Sequence, residues 1–436
     1  MSDSTRRTFL KQTAGSAAGT AALFAAPALG ALGANERLVL GLIGCGGRGT
    51  HVADVFRAQK QADVAWVCDP DAARRGKAAE KFGVPAAHAV ADMRKLLDDP
   101  AVDAVLVATP DHWHSPAAIL ACQAGKHVYV EKPCSHNVRE GRLLVEAARK
   151  NKRLVQHGTQ SRSTKMMSEA VRMLREGAIG EVLATRAWNV QRRSSIGHQQ
   201  PSDPPPNLDY DLWVGPAAMV PYQANRVHGG WHWWFDFGTG DMGNDGVHDI
   251  DYARWGLGVE THPSLVSAVG GKFFFDDDQQ FPDTQQVTFE YPGDGKPGHR
   301  RLLIYEQRLW STNYPYNVDS GVEFYGTRGQ MFLSRRGKVQ VLGDRNEKVD
   351  VKIVGQAQDE NAHVVNFGDA VRGTAKLNAE IEIGHLSSAL CHLGNIACRL
   401  GRSLRFDPAT ETCPGDDEAN RLLSRAYRSH WGAPRG

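Results

Sequence analysis

The fold is decided by the stretch LVLGLIGCGGRG, residues 38–49. Its apolar first half predicts a short buried strand, and its second half predicts a glycine-rich turn that opens a helix. Gly44, Gly46 and Gly49 satisfy the spacing GxGxxG at this turn. Gly44 would allow the tight turn, Gly46 the approach of a pyrophosphate, and Gly49 close packing of helix on strand. The stretch therefore predicts a dinucleotide-binding loop whose helix amides face negative charge.

A carboxylate at the end of the next apolar run supports this prediction. Asp69 follows ADVAWVC and stands about 20 residues after Gly49, where it can accept hydrogen bonds from a ribose diol. This favours NAD over NADP, whose extra phosphate the carboxylate would repel, although Arg74 and Arg75 keep NADP possible. The alternative is that Asp69 only begins the turn at Pro70.

Outward from this loop, apolar runs and helical stretches alternate as far as residue 157. The alternation indicates a Rossmann domain, a doubly wound parallel sheet, over residues 35–160. Longer strand-like runs then predict an α+β domain on a mostly antiparallel open sheet over residues 161–405, followed by a tail at 406–436. The fold class is therefore α/β. The proline-rich stretch 199–216 is either an inert surface loop or a lid over a cleft.

Residues 1–34 resemble a twin-arginine export signal, because Arg6 and Arg7 precede an apolar stretch rich in Ala and Gly. We therefore expect cleavage and a periplasmic location, with a membrane anchor as the alternative. The segment holds three of the 51 basic and one of the 49 acidic residues, so the remaining chain has no net charge, which disfavours nucleic acid as a partner. Seven scattered cysteines without a CxxC pair argue against a disulfide framework.

A second constellation consists of ATPDHWHSP at 108–116 and AGKHVYVEKP at 124–133. Lys132 follows a buried strand between Glu131 and Pro133, which would place it at the carboxyl edge of the sheet. There it could orient a substrate hydroxyl and share its proton if burial lowers its pKa. Without the glycine loop, these three residues would be interpreted as a surface turn.

Together, GxGxxG, Asp69, ATP, His114, AGKHV and EKP resemble the glucose–fructose oxidoreductase, inositol dehydrogenase and rhizopine catabolism family, usually abbreviated Gfo/Idh/MocA. The resemblance covers the chain from Leu38 to the C-terminal helix. It implies a nicotinamide cofactor, sugars or cyclitols as the usual substrates, and a C-terminal open sheet that often forms oligomer contacts. We therefore expect a homo-oligomer assembled through that sheet. The cofactor-binding residues that follow are Gly44, Cys45, Gly46, Gly47, Arg48, Gly49, Asp69, Thr109, Pro110, His114, Glu131 and Lys132.

A third constellation is GNDGVHDIDYARW, residues 243–255, which is predicted to form a helix. On it His248 shares a face with Asn244, Asp245 and Asp251, and an imidazole beside carboxylates can accept a proton. Family members carry D-x-G-x-H-x-x-D here, so the resemblance gives His248 the catalytic position. Asn244 stands where the first Asp is expected and Asp245 is one place off, which leaves open whether a carboxylate completes the pair. The candidate catalytic residues are Lys132, His248, Asn244 and Asp245.

The stretch HGGWH at 228–232 places two histidines four residues apart. It lacks the Glu of an HExxH site, and its glycines disfavour a helix, so no metal is predicted. Trp231 can instead stack on the apolar face of a sugar. The candidate substrate-binding residues are Lys132, Arg162, Trp231 and His248.

The predicted function is hydride transfer between nicotinamide and a carbinol carbon of a sugar, cyclitol or glycoside, with His248 shuttling the proton and Lys132 orienting the oxygen. Because free NAD is not expected outside the cytoplasm, an exported enzyme should keep its cofactor bound. One alternative is a redox-neutral lyase or glycosidase that cleaves glycosides through transient oxidation. Another is a non-catalytic dinucleotide-binding sensor. The expected partner is a small carbohydrate or cyclitol, with no membrane contact after signal cleavage.

Overall fold

Strands and helices alternate through the N-terminal half of the chain. The computed structural model describes residues 36–294, 296–429 and 431, so the predicted signal at 1–34 lies outside the described residues. The N-terminal elements are β1 (Leu38–Ile43), α1 (Gly47–Ala58), β2 (Ala62–Cys68), α2 (Ala72–Phe82), β3 (Ala89–Val90), α3 (Met93–Leu97), β4 (Ala104–Val107), α4 (Asp111–Gln123), β5 (His127–Val130), α5 (Val138–Lys150) and β6 (Val155–His157).

These six strands form one parallel sheet in the order β3-β2-β1-β4-β5-β6. Every residue of β4 is buried, as expected for a central parallel strand that helices cover on both faces. The strand order reverses between β1 and β4, which is where ligands of doubly wound sheets bind. The predicted Rossmann arrangement is confirmed.

A second sheet organises the C-terminal half. Its elements, with their helices, are α6 (Lys165–Arg175), β7 (Val182–Asn189), α7 (Tyr210–Val214), α8 (Val247–Leu257), β8 (Leu265–Gly271), β9 (Thr284–Tyr291), β10 (Arg301–Arg308), β11 (Ser320–Gly326), β12 (Gly329–Ser334), β13 (Lys338–Leu342), α9 (Glu360–Val371), α10 (Ile381–Leu400), β14 (Leu404–Arg405) and α11 (Asp417–Leu422).

The second sheet has the strand order β13-β12-β11-β7-β10-β9-β8-β14. The β7–β10 pair is parallel and the other neighbouring pairs are antiparallel, which confirms the predicted mostly antiparallel sheet. Helices α6, α8 and α10 pack on one face, and the largest hydrophobic core lies between them and the strands. On the opposite face Val269 is exposed.

The packing departs from the predicted division into 35–160, 161–405 and a tail. Helix α9 returns to the Rossmann domain, where the Phe367 ring meets Phe56 and Tyr129 edge-on at centroid distances of 5.8 and 6.0 Å. The residues after 405 also pack closely. Cys413 is fully buried in the largest core, and the Arg425 guanidinium donates to the carboxylate of Glu140 on α5 at 2.8 Å.

The proline-rich stretch runs onto the Rossmann domain instead of lying free on the surface. We call residues 205–229 the strap. Its Asn207 carbonyl accepts from the Ala72 amide at 2.8 Å and its Asn207 side chain donates to the Asp71 carboxylate at 2.9 Å. At the far end of the strap, His228 Nε2 lies 3.0 Å from the same carboxylate. The strap is therefore anchored at both ends on the loop after β2.

None of the described helices combines the length and hydropathy that a transmembrane span requires.

Candidate active site

The glycine loop between β1 and α1 has the shape that the sequence predicts. Gly44 adopts a φ of +96°, and a Cβ there would lie 2.5 Å from the carbonyl oxygen of Ala108. A Cβ at Gly49 would lie 2.0 Å from the Gly44 carbonyl oxygen, so α1 can approach the strand only with glycine at this position. A Cβ at Gly47 would meet no atom within 4 Å, so this side of the loop faces open space. The loop therefore forms an open cradle of backbone.

A cavity of about 270 Å³ lies against this loop, at the carboxyl ends of β1, β2 and β4. Its other wall comes from the strap and the residues that follow it. Its position matches the ligand crevice of doubly wound sheets. Predicted residues that line it are Gly44, Gly46, Gly47, Arg48, Asp69, Thr109, Pro110 and Trp231.

Asp69 closes one end of the cavity and also holds the loop. Its Oδ2 accepts from the Cys45 amide at 2.8 Å and its Oδ1 from the Asp71 amide at 2.9 Å. The Cys45 amide is thus engaged inside the protein and does not face the cavity. Each carboxylate oxygen keeps a second lone pair that a ribose hydroxyl can use. Burial raises the pKa of Asp69, against the lowering effect of these two amides.

Arg48 joins the glycine loop to two other parts of the chain. Its Nε donates to Glu131 Oε1 at 2.8 Å, and its Nη1 donates to Glu360 Oε1, at the start of α9, at 2.5 Å. Burial alone would lower the pKa of Arg48, but Glu131 and Glu360 outweigh it and raise the pKa. Arg48 is therefore a permanent cation with two carboxylate partners, and Glu131 positions the loop from the residue next to Lys132.

His114 connects the two other predicted cofactor turns. Its Nδ1 lies 2.6 Å from the Pro133 carbonyl oxygen and its Nε2 lies 2.9 Å from the Thr109 carbonyl oxygen. His114 is fully buried, so it is a positioning residue and does not face the cavity. Thr109 Oγ1, by contrast, is buried without a hydrogen-bond partner among the described residues, and Thr109 lines the cavity. Its hydroxyl is free to bind a ligand.

The stretch 243–255 is a regular α-helix only from Val247 onward. A π-helical turn, Met242–Gly246, precedes α8, which corrects the predicted continuous helix. A Cβ at Gly246 would lie 2.2 Å from Tyr305 Oη, so this turn is pressed against the sheet. In the π turn the Asn244 carbonyl oxygen accepts from Lys132 Nζ, and Asn244 Oδ1 accepts from the same Nζ at 3.2 Å. Single π turns inside helices are frequent at functional sites.

His248 is the second residue of α8, four residues after Asn244, and is 5% exposed. Burial, together with Arg335 and Lys132, lowers the pKa of His248 well below its ordinary value. The imidazole is therefore neutral near pH 7, and its Nδ1 makes no hydrogen bond among the described residues. Lys132 is thus close enough to influence His248 electrostatically, and the neutral imidazole can accept a proton.

Asp245, predicted as a catalytic residue, is bound between two arginines. Its Oδ1 accepts from Arg335 Nη2 and its Oδ2 from Arg193 Nη2, both at 2.7 Å. Burial alone would raise the pKa of Asp245, but Arg335 and Arg193 hold it far below its usual range. A carboxylate with so low a pKa does not take up a proton at neutral pH, so the structure favours an orienting role for Asp245.

Asn244 is held by a carboxylate that the sequence prediction did not include. Its Nδ2 donates to Asp241 Oδ1 at 3.1 Å, which turns the amide oxygen toward Lys132. Asp241 also accepts from Arg193 at 2.8 Å and from Asn189 at 2.9 Å. The amide therefore acts as an acceptor for the lysine in the place where relatives carry a carboxylate. No spacing in the sequence indicates Arg193, because it reaches the site from the loop after β7.

Arg162 departs from its predicted role as a substrate ligand. Its Nε donates to Asp251 Oδ2 at 2.7 Å, both side chains are buried, and the guanidinium lies 4.9 Å from the Trp255 ring. Arg162, like Lys132 and His248, is not among the described residues that line the cavity. Its position therefore favours a structural ion pair beneath α8. Trp231 reaches the cavity beside His232, whose ring centroid is 3.5 Å away.

Three potential metal ligands meet elsewhere, beside α10. His262 Nε2 and His385 Nε2 each lie 2.9 Å from Glu411 Oε1, and Arg142 donates to the same oxygen at 2.6 Å. We call these four residues the Glu411 cluster. A guanidinium on the shared oxygen repels a divalent cation, so the geometry is that of an ion-paired network.

The comparisons with known proteins agree with this geometry. The family model described as "Oxidoreductase family, NAD-binding Rossmann fold" matches residues 38–159, and the model "Oxidoreductase family, C-terminal alpha/beta domain" matches residues 184–433. Inositol 2-dehydrogenase 2 of Saccharopolyspora erythraea is 34% identical over 224 residues, which are 51% of this chain and 54% of that protein. Glycosyl hydrolase family 109 protein 2 of Shewanella sp. strain ANA-3 is 32% identical over 209 residues, 42% and 45% of the two chains.

The chain thus spans about half the length of these curated relatives. Among solved structures, levoglucosan dehydrogenase in complex with NADH and levoglucosan superposes with a TM-score of 0.65 at 20% identity, over 84% of this chain and 99% of that one. This likeness shows a shared fold. The glycine cradle lies where the strand order of the parallel sheet reverses, and the two family models together match most of the described residues. The chain therefore belongs to the Gfo/Idh/MocA family of NAD-binding oxidoreductases.

Proposed function

We propose that this protein is an NAD-dependent oxidoreductase acting on a carbinol carbon of a sugar, cyclitol or glycoside. The observation that carries the proposal is that Lys132 bonds the π turn before His248, while the neighbouring Glu131 accepts from Arg48 of the glycine loop. Lys132 is bonded to the π turn that leads into His248, and Lys132 also lowers the pKa of His248. An ammonium and a neutral imidazole side by side suit the proton movement of alcohol oxidation.

The residues of the cavity fit a dinucleotide. The open side of Gly47 and the amides at the start of α1 suit a pyrophosphate, Asp69 suits a ribose diol, and the free Thr109 hydroxyl suits a further polar contact. When bound, NAD supplies the acceptor or donor of the hydride. The rest of the chemistry belongs to the protein side chains.

Lys132 and His248 have distinct tasks in this proposal. The ammonium has three N–H donors, and Asn244 accepts from it through both its carbonyl oxygen and its Oδ1, so a remaining N–H can donate to the substrate oxygen. His248, which is neutral, takes the hydroxyl proton as the carbon is oxidised and returns it in the reverse direction. Lys132 thus orients and polarises the oxygen while His248 moves the proton.

The substrate proposed is uncharged. Arg193 and Arg335 lie near the reacting groups, but their guanidinium groups are already bonded to Asp241 and Asp245. Paired arginines favour a hydroxyl-bearing molecule over a carboxylate or phosphate. Trp231 offers an indole face for the apolar side of a sugar ring.

We further propose that the cofactor is held tightly and that the protein acts in the periplasm after twin-arginine export. The strap supports retention, because Leu212, Trp213 and His228 of the strap line the cavity while Asp71 anchors both its ends. We also propose a homo-oligomer formed through the C-terminal sheet, since the face opposite α8 and α10 is uncovered at Val269.

A redox-neutral cleavage of glycosides is the second candidate. The similarity to a glycosyl hydrolase family 109 protein favours it. A retained cofactor also suits a cycle in which a sugar carbon is oxidised transiently, elimination follows and the carbon is reduced again. A non-catalytic dinucleotide sensor would need none of the contacts to Lys132.

One experiment separates these functions. The protein is purified without added cofactor, the absorbance of bound nicotinamide is measured, and myo-inositol, D-glucose and nitrophenyl glycosides are offered with and without NAD. Lys132→Ala and His248→Ala should each lower turnover by about 10²–10⁴-fold. Lys165→Ala, at an exposed site on α6, serves as the control.

The outcomes are distinct. Aglycone release without added NAD would establish the redox-neutral cycle, and oxidation of a free sugar or cyclitol would establish the dehydrogenase. Turnover that requires external NAD would refute cofactor retention. Bound NAD with no turnover of any of these compounds would favour the sensor, and unchanged turnover in both active-site variants would refute the roles given to Lys132 and His248.

A further inference from the structure

A second cavity, of about 340 Å³, lies on the other side of the segment that follows the strap. Its walls come from the loop before α5, from residues 235–239 and α10, and from the end of α11 with the residues that follow it. Ala217 and Ala218 of the strap and Phe281 complete the lining. Among the described residues it shares no lining residue with the nucleotide cavity. Its volume is in the range that small-molecule sites occupy.

Three residues that line this cavity carry buried polar atoms without hydrogen-bond partners among the described residues. Asn137 is 4% exposed; its Oδ1 accepts from the Glu140 amide, while its Nδ2 has no hydrogen-bond partner among the described residues. Arg425 donates through Nε and Nη2, and its Nη1 is likewise unpaired. Neither ring nitrogen of His136 has a hydrogen bond of good geometry among the described residues, although the ring lies near the Phe235 backbone. A buried polar group without a partner costs about 1–3 kcal/mol, so this set of atoms indicates a polar ligand or ordered water.

An apolar wall stands beside these polar atoms. The rings of Phe235 and Phe281 meet edge-on with centroids 4.6 Å apart, and the Arg399 guanidinium lies 4.2 Å from the Phe235 ring centroid. An aromatic wall opposite donors and acceptors is suited to a molecule that has one apolar face and many hydroxyls.

The charges around the cavity balance. Arg425 is paired with Glu140, and Arg399 and Asp236 carry opposite charges at the exposed rim. Burial lowers the pKa of His392 to about 3 and holds the pKa of His136 well below its ordinary value, so both rings are neutral near pH 7. An anion or a cation would therefore find no uncompensated opposite charge here.

We propose that this cavity binds a neutral, polyhydroxylated ring, the size of one sugar or cyclitol unit. The unpaired Asn137 and Arg425 donors and the His136 ring would bind its hydroxyls, and Phe235 or Phe281 its apolar face. The proposal stands on the residues of this cavity and does not require the proposed catalytic function. The ring is either a free monosaccharide unit or the end of a longer glycan, and the test distinguishes these sources.

The floor of the cavity touches the active site. Thr239 Oγ1 donates to the buried Asp111 carboxylate at 2.6 Å, and the Thr239 carbonyl accepts from Asn395 on α10 at 2.8 Å. A Cβ at Gly243, in the π turn that holds Lys132, would lie 2.1 Å from Thr239 Oγ1. A ligand that contacts Asn395 or Thr239 is therefore one residue away from the turn that positions the lysine.

The test is a binding titration of the full protein by isothermal calorimetry with three probes, myo-inositol, D-glucose and cellobiose. Ala218→Trp places a large ring at the exposed rim of the cavity, and Asn137→Asp keeps the oxygen that caps α5 while removing the free N–H donors. Ala409→Trp, at an exposed alanine lining a different surface depression, is the matched control. Lys132→Ala removes the contact between Lys132 and Asn244 in the active site, so that binding at the active site can be told apart from binding in this cavity.

We expect saturable binding of at least one probe that weakens about tenfold or more in Ala218→Trp and Asn137→Asp, and that persists in Ala409→Trp and Lys132→Ala. Binding of cellobiose without binding of the two monomeric probes would identify a glycan end as the ligand, and binding of a monomeric probe a free unit. The proposal is overturned if no probe binds, or if binding is lost in Lys132→Ala but kept in Ala218→Trp. Failure of the catalytic proposal would show in turnover alone and would leave this titration unchanged.

Discussion

Replacing Asp245 by Asn tests whether this carboxylate is a catalytic base or a charge that orients the site. The change keeps the size of the side chain and removes one negative charge from between two arginines. Arg335 and Arg193 both donate to it at 2.7 Å. We therefore expect the main effect on stability and not on the pH dependence of turnover.

The expected loss of unfolding free energy depends on which carboxylate contacts each arginine keeps. Breaking a buried ion pair by removing one partner costs about 3–5 kcal/mol. Arg193 keeps its three hydrogen bonds to Asp241. Arg335 keeps Asp249 at 3.8 Å, and burial raises the pKa of that carboxyl to about 7. Partial compensation by these carboxylates places the expected loss near the lower end, at about 3 kcal/mol.

The assay is urea unfolding at about pH 7, together with the pH profile of kcat on any substrate that the protein turns over. Asp276→Asn, at a fully exposed carboxylate 3.4 Å from His198, is the control and should cost less than about 0.5 kcal/mol. A loss below about 1 kcal/mol for Asp245→Asn would refute the ion-pair reasoning. Normal stability combined with loss of the acidic limb of the pH profile, where a general base becomes protonated, would restore Asp245 as the proton acceptor.

Three further predictions concern the loop, the Glu411 cluster and the strap. Gly44→Ala should lower the free energy of unfolding by about 1–3 kcal/mol and abolish NAD binding, because Gly44 has a positive φ and a short backbone contact. Gly76→Ala, in open space on α2, is the control and should do neither. The measurement is a fluorescence titration with NADH, and normal affinity in Gly44→Ala would contradict the cradle. In the Glu411 cluster, burial alone would raise the pKa of Glu411, but the histidine and arginine partners hold that pKa below its ordinary value of 4.5. The ionised Glu411 therefore stabilises the fold fully above about pH 4.5, and this stabilisation is lost as the pH falls further. Wild type should therefore lose more stability than Glu411→Gln between about pH 7 and about pH 4 in urea unfolding, and equal losses would disprove this. His228→Asn keeps a residue that tolerates the positive φ at this position but removes the contact to Asp71. If that contact contributes about 1 kcal/mol, bound NADH should dissociate about five times faster in stopped-flow displacement. An unchanged rate would show that this contact of the strap does not retain the cofactor.

The sequence was sufficient for the features that are local in the chain. Gly44 and Gly49 sit in a strand-to-helix turn whose geometry depends on neighbouring residues, so spacing alone predicted the cradle correctly. The alternation of strands and helices likewise predicted both sheets, because periodicity follows from which face of each element is buried.

The parts that escaped prediction depend on distant contacts or on small departures from regular geometry. A helical period cannot reveal the π turn, so the carbonyl of Asn244 was not expected to accept from Lys132. Arg335 reaches Asp245 from 90 residues further along the chain, and no local pattern marks it. Arg162 was assigned to substrate, but its buried contact to Asp251 depends on how α8 packs.

Helix α9 has a consequence for how the protein is made. Phe367 fills a place between Phe56 and Tyr129 in the core of the Rossmann domain, where it is fully buried. Ribosomes synthesise about 5–20 residues per second, so Tyr129 waits roughly 12–50 s for that ring to emerge. During this time the N-terminal sheet lacks part of its core, and a fragment that stops near residue 160 would never acquire it. Completion of the nucleotide-binding half therefore depends on the synthesis of the C-terminal half that carries α9.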